Sequence, residues 1–287
     1  MDTSLLNVIP YTRRHHRDLM HLLGYDRYLH VHLDWNSADE WLSDPDMPVF
    51  LAWQDDKLVG AMAGSPPLNG SVWLRMVVLA PGADVEATLQ TLWETLRAQL
   101  VANGVQDVAI LLLRAWLMPY AEQLGFAPLE SIITLRREGN QVPEPLRHDL
   151  KIRPGDLREL ATVAEVDHAA FNPIWQLSMM ALRQAIRASA YFTVAEIDKQ
   201  LVAYQLSTLY HDGAHLARLA TMPAVQGTGV GGALLTNLVQ HFLNRRIRSV
   251  SVNTQKSNTQ SLRLYQRYGF NPTGLNMDVW SQSLNHD

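Results

Sequence analysis

The sequence predicts an α/β (α+β) fold laid down twice in tandem, each copy a mixed, mostly antiparallel sheet flanked by helices. Three observations predict it. Short apolar runs of strand-like composition alternate with longer segments whose apolar residues recur at helical spacing. Landmarks of the first half return in the second at an offset of about 142–145 positions. Asp56-Lys57-Leu58-Val59 matches Asp198-Lys199-Gln200-Leu201-Val202, Ala80-Pro81 matches Met222-Pro223, and Leu124-Gly125-Phe126 matches Tyr268-Gly269-Phe270. Between the copies, residues 139–149 are polar and carry Pro143 and Pro145, the composition of a linker. The expected domains are therefore 1–138 and 150–287.

In the first half, Leu5–Ile9 reads as a strand and Thr12–Leu23 as a helix. Val49–Trp53 and Leu58–Ala63 flank Asp55-Asp56 as a hairpin, and Val72–Leu79 follows as a strand. Val85–Ala102 is a helix because Leu89, Leu92, Trp93, Leu96 and Leu100 share one face. Val108–Leu113 is a strand, Leu117–Leu124 a helix and Ile132–Leu135 a strand.

The second half repeats the order. Leu150–Arg153 is a strand and Leu157–Ala170 a helix that Asn172-Pro173 breaks; a second helix runs from about Gln176 to Ser189. Strands Tyr191–Ile197 and Leu201–Tyr210 flank the turn Asp198-Lys199. His215–Met222 is a strand, followed by a glycine-rich turn and a helix through Leu234, Leu235, Leu238, Val239, Phe242 and Leu243. Ser249–Asn253 is a strand, Asn258–Tyr268 a helix, and Asp278–Trp280 lies in the last strand.

Composition narrows the function classes. Hydrophobic content of 47% with 18% charged residues describes a globular chain, and a net charge of −4 gives no overall basic balance for nucleic acid. The absence of cysteine excludes disulfides, thiolate metal sites and a cysteinyl intermediate. His15, His16, His21, His30 and His32 lack the pattern of a metal site, so no metal is expected. There is no apolar run of about 18 residues, so no membrane partner is expected. The first ten residues carry no leader pattern, and the expectation is a cytoplasmic protein. Nothing in the pattern bears on oligomeric state.

The turn Gly227–Gly232 is the chemical focus. Glycines let a ligand touch the main chain, and the first N–H groups of the following helix have no internal partner. Such an end suits an anion such as a diphosphate. A P-loop is excluded, because Ala233 and Leu234 stand where Lys and Ser/Thr are required. Gly227, Gly229 and Gly232 spell a dinucleotide fingerprint, but no acidic residue for a ribose occurs from Gly213 to Met277. Over that range the charges are Arg218, Arg245, Arg246, Arg248, Lys256, Arg263 and Arg267, a cationic block that fits a ligand with several phosphates.

A third motif remains: Gln226-x-x-Gly229-x-Gly231, followed by a helix that reads Asn258…Leu264-Tyr265…Gly269-Phe270. Here the chain resembles the GNAT acyltransferase superfamily, specifically in its second half and in degenerate form in its first. The resemblance implies acetyl-CoA as co-substrate, held by Ala220, Thr221, Met222, Gln226, Gly227, Thr228, Gly229, Val230, Gly231, Gly232, Asn258 and Tyr265. It implies a main-chain N–H at Thr221 or Met222 that polarises the thioester carbonyl, Asn258 on the pantetheine arm, and Tyr265 as proton donor to the leaving thiolate. A phenol with pKa near 10 held against a thiolate near 8.5 fits that role. The alternative is a core aromatic at 265 and an N-cap at 258.

The general base is open. The strand His215–Met222 has no glutamate, and His215 is the nearest titratable group; Glu196, His211, Asp212 and Asp278 are others. Acceptor contacts are expected from Phe171–Trp175, with Phe171 and Trp175 as an apolar wall or as packing. In the first half the turn is Gly82–Glu86, with two acids that repel phosphate, so that copy is expected to bind no coenzyme. The implied activity is acetyl transfer to a small-molecule or peptide amine by direct attack in a ternary complex. The alternatives are a CoA-binding sensor without turnover and a nicotinamide-dependent enzyme.

Overall fold

The computed structural model describes residues 6–284 except Leu146, His148 and Asp149. The strand start expected at Leu5 and three of the linker residues lie outside that set. In chain order the first repeat holds β1 (Leu6–Pro10), α1 (His16–Leu22), β2 (Leu29–Val31), α2 (Ala38–Leu42), β3 (Val49–Gln54), β4 (Lys57–Gly64), β5 (Ser71–Leu79), α3 (Val85–Ala102), β6 (Asp107–Leu112), α4 (Met118–Gln123) and β7 (Ala127–Glu138). The second holds β8 (Lys151–Pro154), α5 (Leu160–Ala170), α6 (Met179–Ala188), β9 (Tyr191–Ile197), β10 (Gln200–Tyr210), β11 (Gly213–Thr221), α7 (Val230–Asn244), β12 (Ser249–Gln255), α8 (Thr259–Arg267) and β13 (Asn271–Ser283).

The chain folds into two compact units, Met1–Leu129 with Met277–Asp287, and Glu130–Asn276. In the first, the strands run β1-β3-β4-β5-β6, and Asp278–Ser283 of β13 pairs with β6. In the second they run β8-β9-β10-β11-β12, and Ile132–Glu138 of β7 pairs with β12. Only β5–β6 and β11–β12 are parallel among the registers described. Each sheet is thus completed by the last strand of the other repeat. Residues 139–149, expected to join two domains, instead connect β7 to β8, whose paired residues lie in one unit. Sequence periodicity reports local structure, not which sheet a terminal strand joins.

Local chemistry explains the elements. Asp198 and Lys199 both take left-handed backbone (φ 50° and 66°), the twist a two-residue hairpin needs between β9 and β10. Asp84 caps α3 by accepting from Ala87 N–H at 3.1 Å, and Leu89, Leu92, Trp93, Leu96 and Leu100 bury its apolar face. In the second unit Leu234, Leu235, Leu238, Val239 and Phe242 of α7 are buried, and most of them share one core with Leu216, Val250, Val252, Tyr268 and Phe270. The sequence pattern did not announce β2 or α2. Three and five residues are too short for a period to show. Among the described residues no helix is long and apolar enough to cross a membrane.

Candidate active site

The parallel pair β11–β12 stays in register only over Ala214↔Val250, His215↔Ser251 and Leu216↔Val252. Beyond Leu216, β11 runs on to Thr221 with no described strand on that edge. Its other edge is fully used by β10. Met222 N–H donates to Val202 O at 2.8 Å while Thr221 sits opposite Ala203. In an antiparallel ladder this makes Ala203↔Thr221 a non-hydrogen-bonded pair. The main-chain groups of Thr221, and of Leu219 two residues earlier, therefore face the gap between β11 and β12. Those of Ala220 and Met222 face β10. Of the three backbone positions expected here, only Thr221 is turned to the gap; Leu219 is turned there too, and an apolar residue carries no sign in the sequence of which edge its amide faces.

The mouth of the gap is the glycine turn. Gly227 and Gly229 have φ of 75° and 92°, the left-handed region that favours glycine. Gly229 precedes α7, and no side chain caps the helix. The first intrahelical bond there is Ala233 N–H to Gly229 O at 3.0 Å, so the N–H groups of Val230, Gly231 and Gly232 have no helical acceptor. A Cβ on Gly231 would stand 3.3 Å from the Leu264 side chain and 3.9 Å from the side chains of both Leu219 and Thr221, so the start of α7 packs closely on the end of β11. A Cβ on Gly232 would meet the Tyr268 hydroxyl at 2.3 Å, so that glycine is also demanded by the packing of α7 on α8. Gln226 folds back, Nε2 to Thr221 O at 3.0 Å. Thr228 Oγ1 donates to Val225 O and accepts from Arg147 Nη1 at 3.2 Å, which brings a guanidinium to the turn from the segment before β8.

Tyr265 lies on α8, its ring 5.7 Å from that of Phe270. Burial pushes its phenol well above the ordinary range, so it stays protonated. Its hydroxyl makes no hydrogen bond among the described residues. Asn258 is the N-cap of α8, accepting from Ser261 N–H at 3.0 Å, which leaves its amide nitrogen for a ligand. His215 is bonded through Nδ1 to Ser251 Oγ at 2.9 Å, and burial lowers its pKa.

The cationic block does not form one cluster. Arg245, Arg246 and Arg248 follow the C-terminal end of α7, a helix of 15 residues and so roughly 22 Å long, far from the turn. Arg218 points to the opposite face of the sheet and pairs with buried Asp167. Phe171 and Trp175 lie beside it: the guanidinium is 3.6 Å from the Phe171 ring centre and donates to Trp175 O at 2.7 Å. Glu196 is bound by Lys151 and Arg153, and Asp212 by Arg136. Among the described residues no group of three or more His, Asp or Glu forms a metal cluster.

The first unit builds the same gap and fills it. β5 and β6 pair only from Ser71↔Asp107 to Leu74↔Ile110. On the edge β6 vacates, β2 pairs with β5 through Leu29↔Val78, His30↔Val77 and Val31↔Met76. Leu79 N–H, the counterpart of Thr221 N–H at the repeat offset, donates to Tyr28 O at 3.0 Å. Trp116 Nε1 donates to Leu29 O, and Asp34 bridges His32 and Arg75 at the far end. The helix that follows is capped by its own Asp84 carboxylate, where α7 is uncapped. Strand and anion sites are both occupied by the chain itself.

His30 of that strand is fully buried, with both ring nitrogens lacking a partner among the described residues. Burial, with smaller contributions from His32, Arg114 and Arg75, pushes its pKa down to about 4. An unfolded histidine binds its proton near pH 6.5, so stability is complete above that value and falls as pH drops toward 4. The expected loss over that window is up to about 3 kcal/mol. Urea melts at pH 7 and 4.5 check it: His30→Leu should show less acid destabilisation than the wild type, by most of that amount.

Residues 160–270 match the Acetyltransferase (GNAT) family. A mycothiol acetyltransferase of Acidimicrobium ferrooxidans is 26% identical over 253 residues, 77% of this chain and 78% of that protein. An uncharacterized N-acetyltransferase of Methanocaldococcus jannaschii is 28% identical over 120 residues, 42% of this chain and 76% of that protein. A tandem GNAT protein from the clavulanic acid biosynthesis pathway shares the fold, with a TM-score of 0.61 at 13% identity, covering 99% of this chain and all of that one. Residues 160–270 are thus similar to the acetyltransferase (GNAT) family, the curated relatives are N-acetyltransferases, and the chain is an acyltransferase.

Proposed function

We propose that the second unit is an acetyl-CoA-dependent N-acetyltransferase, in which a small-molecule or peptide amine attacks the thioester directly within a ternary complex. The observation that carries the reading is the joining of two unfilled backbone sites. The uncapped amides of Val230–Gly232 suit a diphosphate, and the main-chain groups of Leu219 with the Thr221 N–H, whose carbonyl is held by Gln226, suit the amides of a pantetheine arm. With the diphosphate at the mouth, the acyl end lies deepest. Leu219 N–H is then the donor to the thioester carbonyl, where negative charge develops, and Thr221 pairs with the arm.

Tyr265 delivers the proton to the departing thiolate. The desolvation that keeps its phenol protonated also raises the proton affinity of a thiolate beside it. His215 is the proposed base. It stands four residues before Leu219, roughly 13 Å along the strand, so it takes the amine proton through water rather than by contact. A weak base of this kind suits an α-amine, whose pKa is about 8, better than a lysine-type amine near 10.4.

Burial holds the His215 pKa below the usual 6.5, so the imidazole is neutral and competent at pH 7. The acid limb of kcat/KM is expected below pH 6.5, with activity lost as pH falls through it. His215→Gln should remove that limb and lower kcat by about tenfold or more. The primary experiment measures thiol release from acetyl-CoA against a panel of α- and ε-amines. Release that depends on an amine supports the enzyme. Tight acetyl-CoA binding with no release on any amine favours the coenzyme sensor, the reading supported by the missing carboxylate on β11.

A further inference from the structure

Asp167, near the end of α5, is completely buried, and four donors converge on its carboxylate. Arg218 grips it with two bonds, Nε to Oδ2 at 2.8 Å and Nη2 to Oδ1 at 2.9 Å. The Tyr204 hydroxyl donates to Oδ2, and Leu177 N–H donates to Oδ1 at 3.0 Å. The same guanidinium donates to Trp175 O and lies over Phe171. Gln176 Nε2 adds bonds to His168 O and Phe171 O, both at 2.9 Å. The stretch from Phe171 to Leu177 is therefore fastened at three places to one ion pair.

A buried ion pair is a costly way to stabilise a fold, since apolar side chains of similar volume do as well or better. Its use here fits a demand for fixed position. Arg218 is on β11, immediately before Leu219, whose main chain faces the gap. One side chain thus joins the strand edge that receives the coenzyme to the segment proposed to meet the acceptor.

We propose that Arg218 is a positioning residue that couples the two sites: when acetyl-CoA pairs with the Leu219–Thr221 edge, the Phe171–Leu177 wall is ordered through Arg218 before the amine enters. This rests on the acetyltransferase reading. Arg218 touches neither substrate. It acts by holding β11 and the wall in one arrangement, so fixing the first reduces the motion of the second. Ordering the wall before the amine arrives lowers the entropy that acceptor binding must supply.

The test uses the full chain and acetyl-CoA alone. Calorimetry gives the affinity, and hydrogen exchange follows the amides of residues 171–177. In the wild type, saturation should slow exchange there by about fivefold or more. Arg218→Lys keeps a charge for Asp167 but cannot span the carboxylate and Trp175 O. It should bind acetyl-CoA within about threefold of the wild type and lose the slowing. Phe171→Leu leaves the ion pair whole and removes only the stacked ring; it should show reduced slowing, and it is the deciding variant if circular dichroism finds Arg218→Lys unfolded. The proposal is overturned if the wild type binds acetyl-CoA with no change at 171–177. It is equally overturned if the folded Arg218→Lys variant, or Phe171→Leu in its place, keeps the full slowing. Absence of acetyl-CoA binding in the wild type removes the acetyltransferase reading itself, and the coupling with it.

Discussion

Gly231→Asp is expected to abolish acetyl-CoA binding while leaving the fold at least as stable as the wild type. The two effects have opposite signs for one reason. A carboxylate in the first turn of α7 interacts favourably with the helix dipole, and any residue other than glycine or proline improves helix propensity by up to about 1 kcal/mol. The substitution therefore favours folding, less the small shift demanded of Leu264, 3.3 Å from the new Cβ. The same carboxylate stands at the uncapped start of α7 and places negative charge where the proposed diphosphate would bind. It imitates the first unit, where Asp84 serves its own helix as the anion. The Kd for acetyl-CoA should rise by about 100-fold or more, equivalent to about 2.7 kcal/mol. Calorimetry and urea melts on the same preparation read both quantities. A destabilised variant that still binds would show that the turn is structural.

Tyr265→Phe is expected to lower kcat by about 10²-fold or more with little change in the Kd for acetyl-CoA. The ring packs against Phe270 and fills its place in the core, and phenylalanine keeps that packing. Because the hydroxyl bonds to no described residue, its removal orphans no partner. What is lost is the proton for the thiolate. The loss should be largest for coenzymes whose thiolate leaves poorly and smaller for acyl donors with acidic leaving groups. A uniform rise in KM with kcat preserved would instead assign Tyr265 to packing.

Much of this was legible in the chain. The repeat offset displayed the recurring order of elements, though not the bounds of the two units, and Gly227 and Gly229 marked the turn because glycine is chosen there for backbone reasons that the letters themselves display. Other parts carried no such sign. The role proposed for Leu219 runs through its amide, and its identity is that of any strand residue. Arg218 looked like one more cation beside a phosphate site, yet its partner Asp167 lies 51 positions earlier, and only the fold brings the two together. The acids of Gly82–Glu86 set the first turn apart from the second in the letters alone. That β2 occupies the edge of β5 was hidden in three residues with no period. The strands β7 and β13 completing the opposite units also left no trace in local pattern.

Titration of the intact chain with acetyl-CoA by calorimetry tests the central claim most directly. The account predicts one coenzyme per chain, and no binding in Gly231→Asp, because one gap is open and the other is closed by β2. Two coenzymes per chain, or one that binds Gly231→Asp as tightly as the wild type, would contradict it.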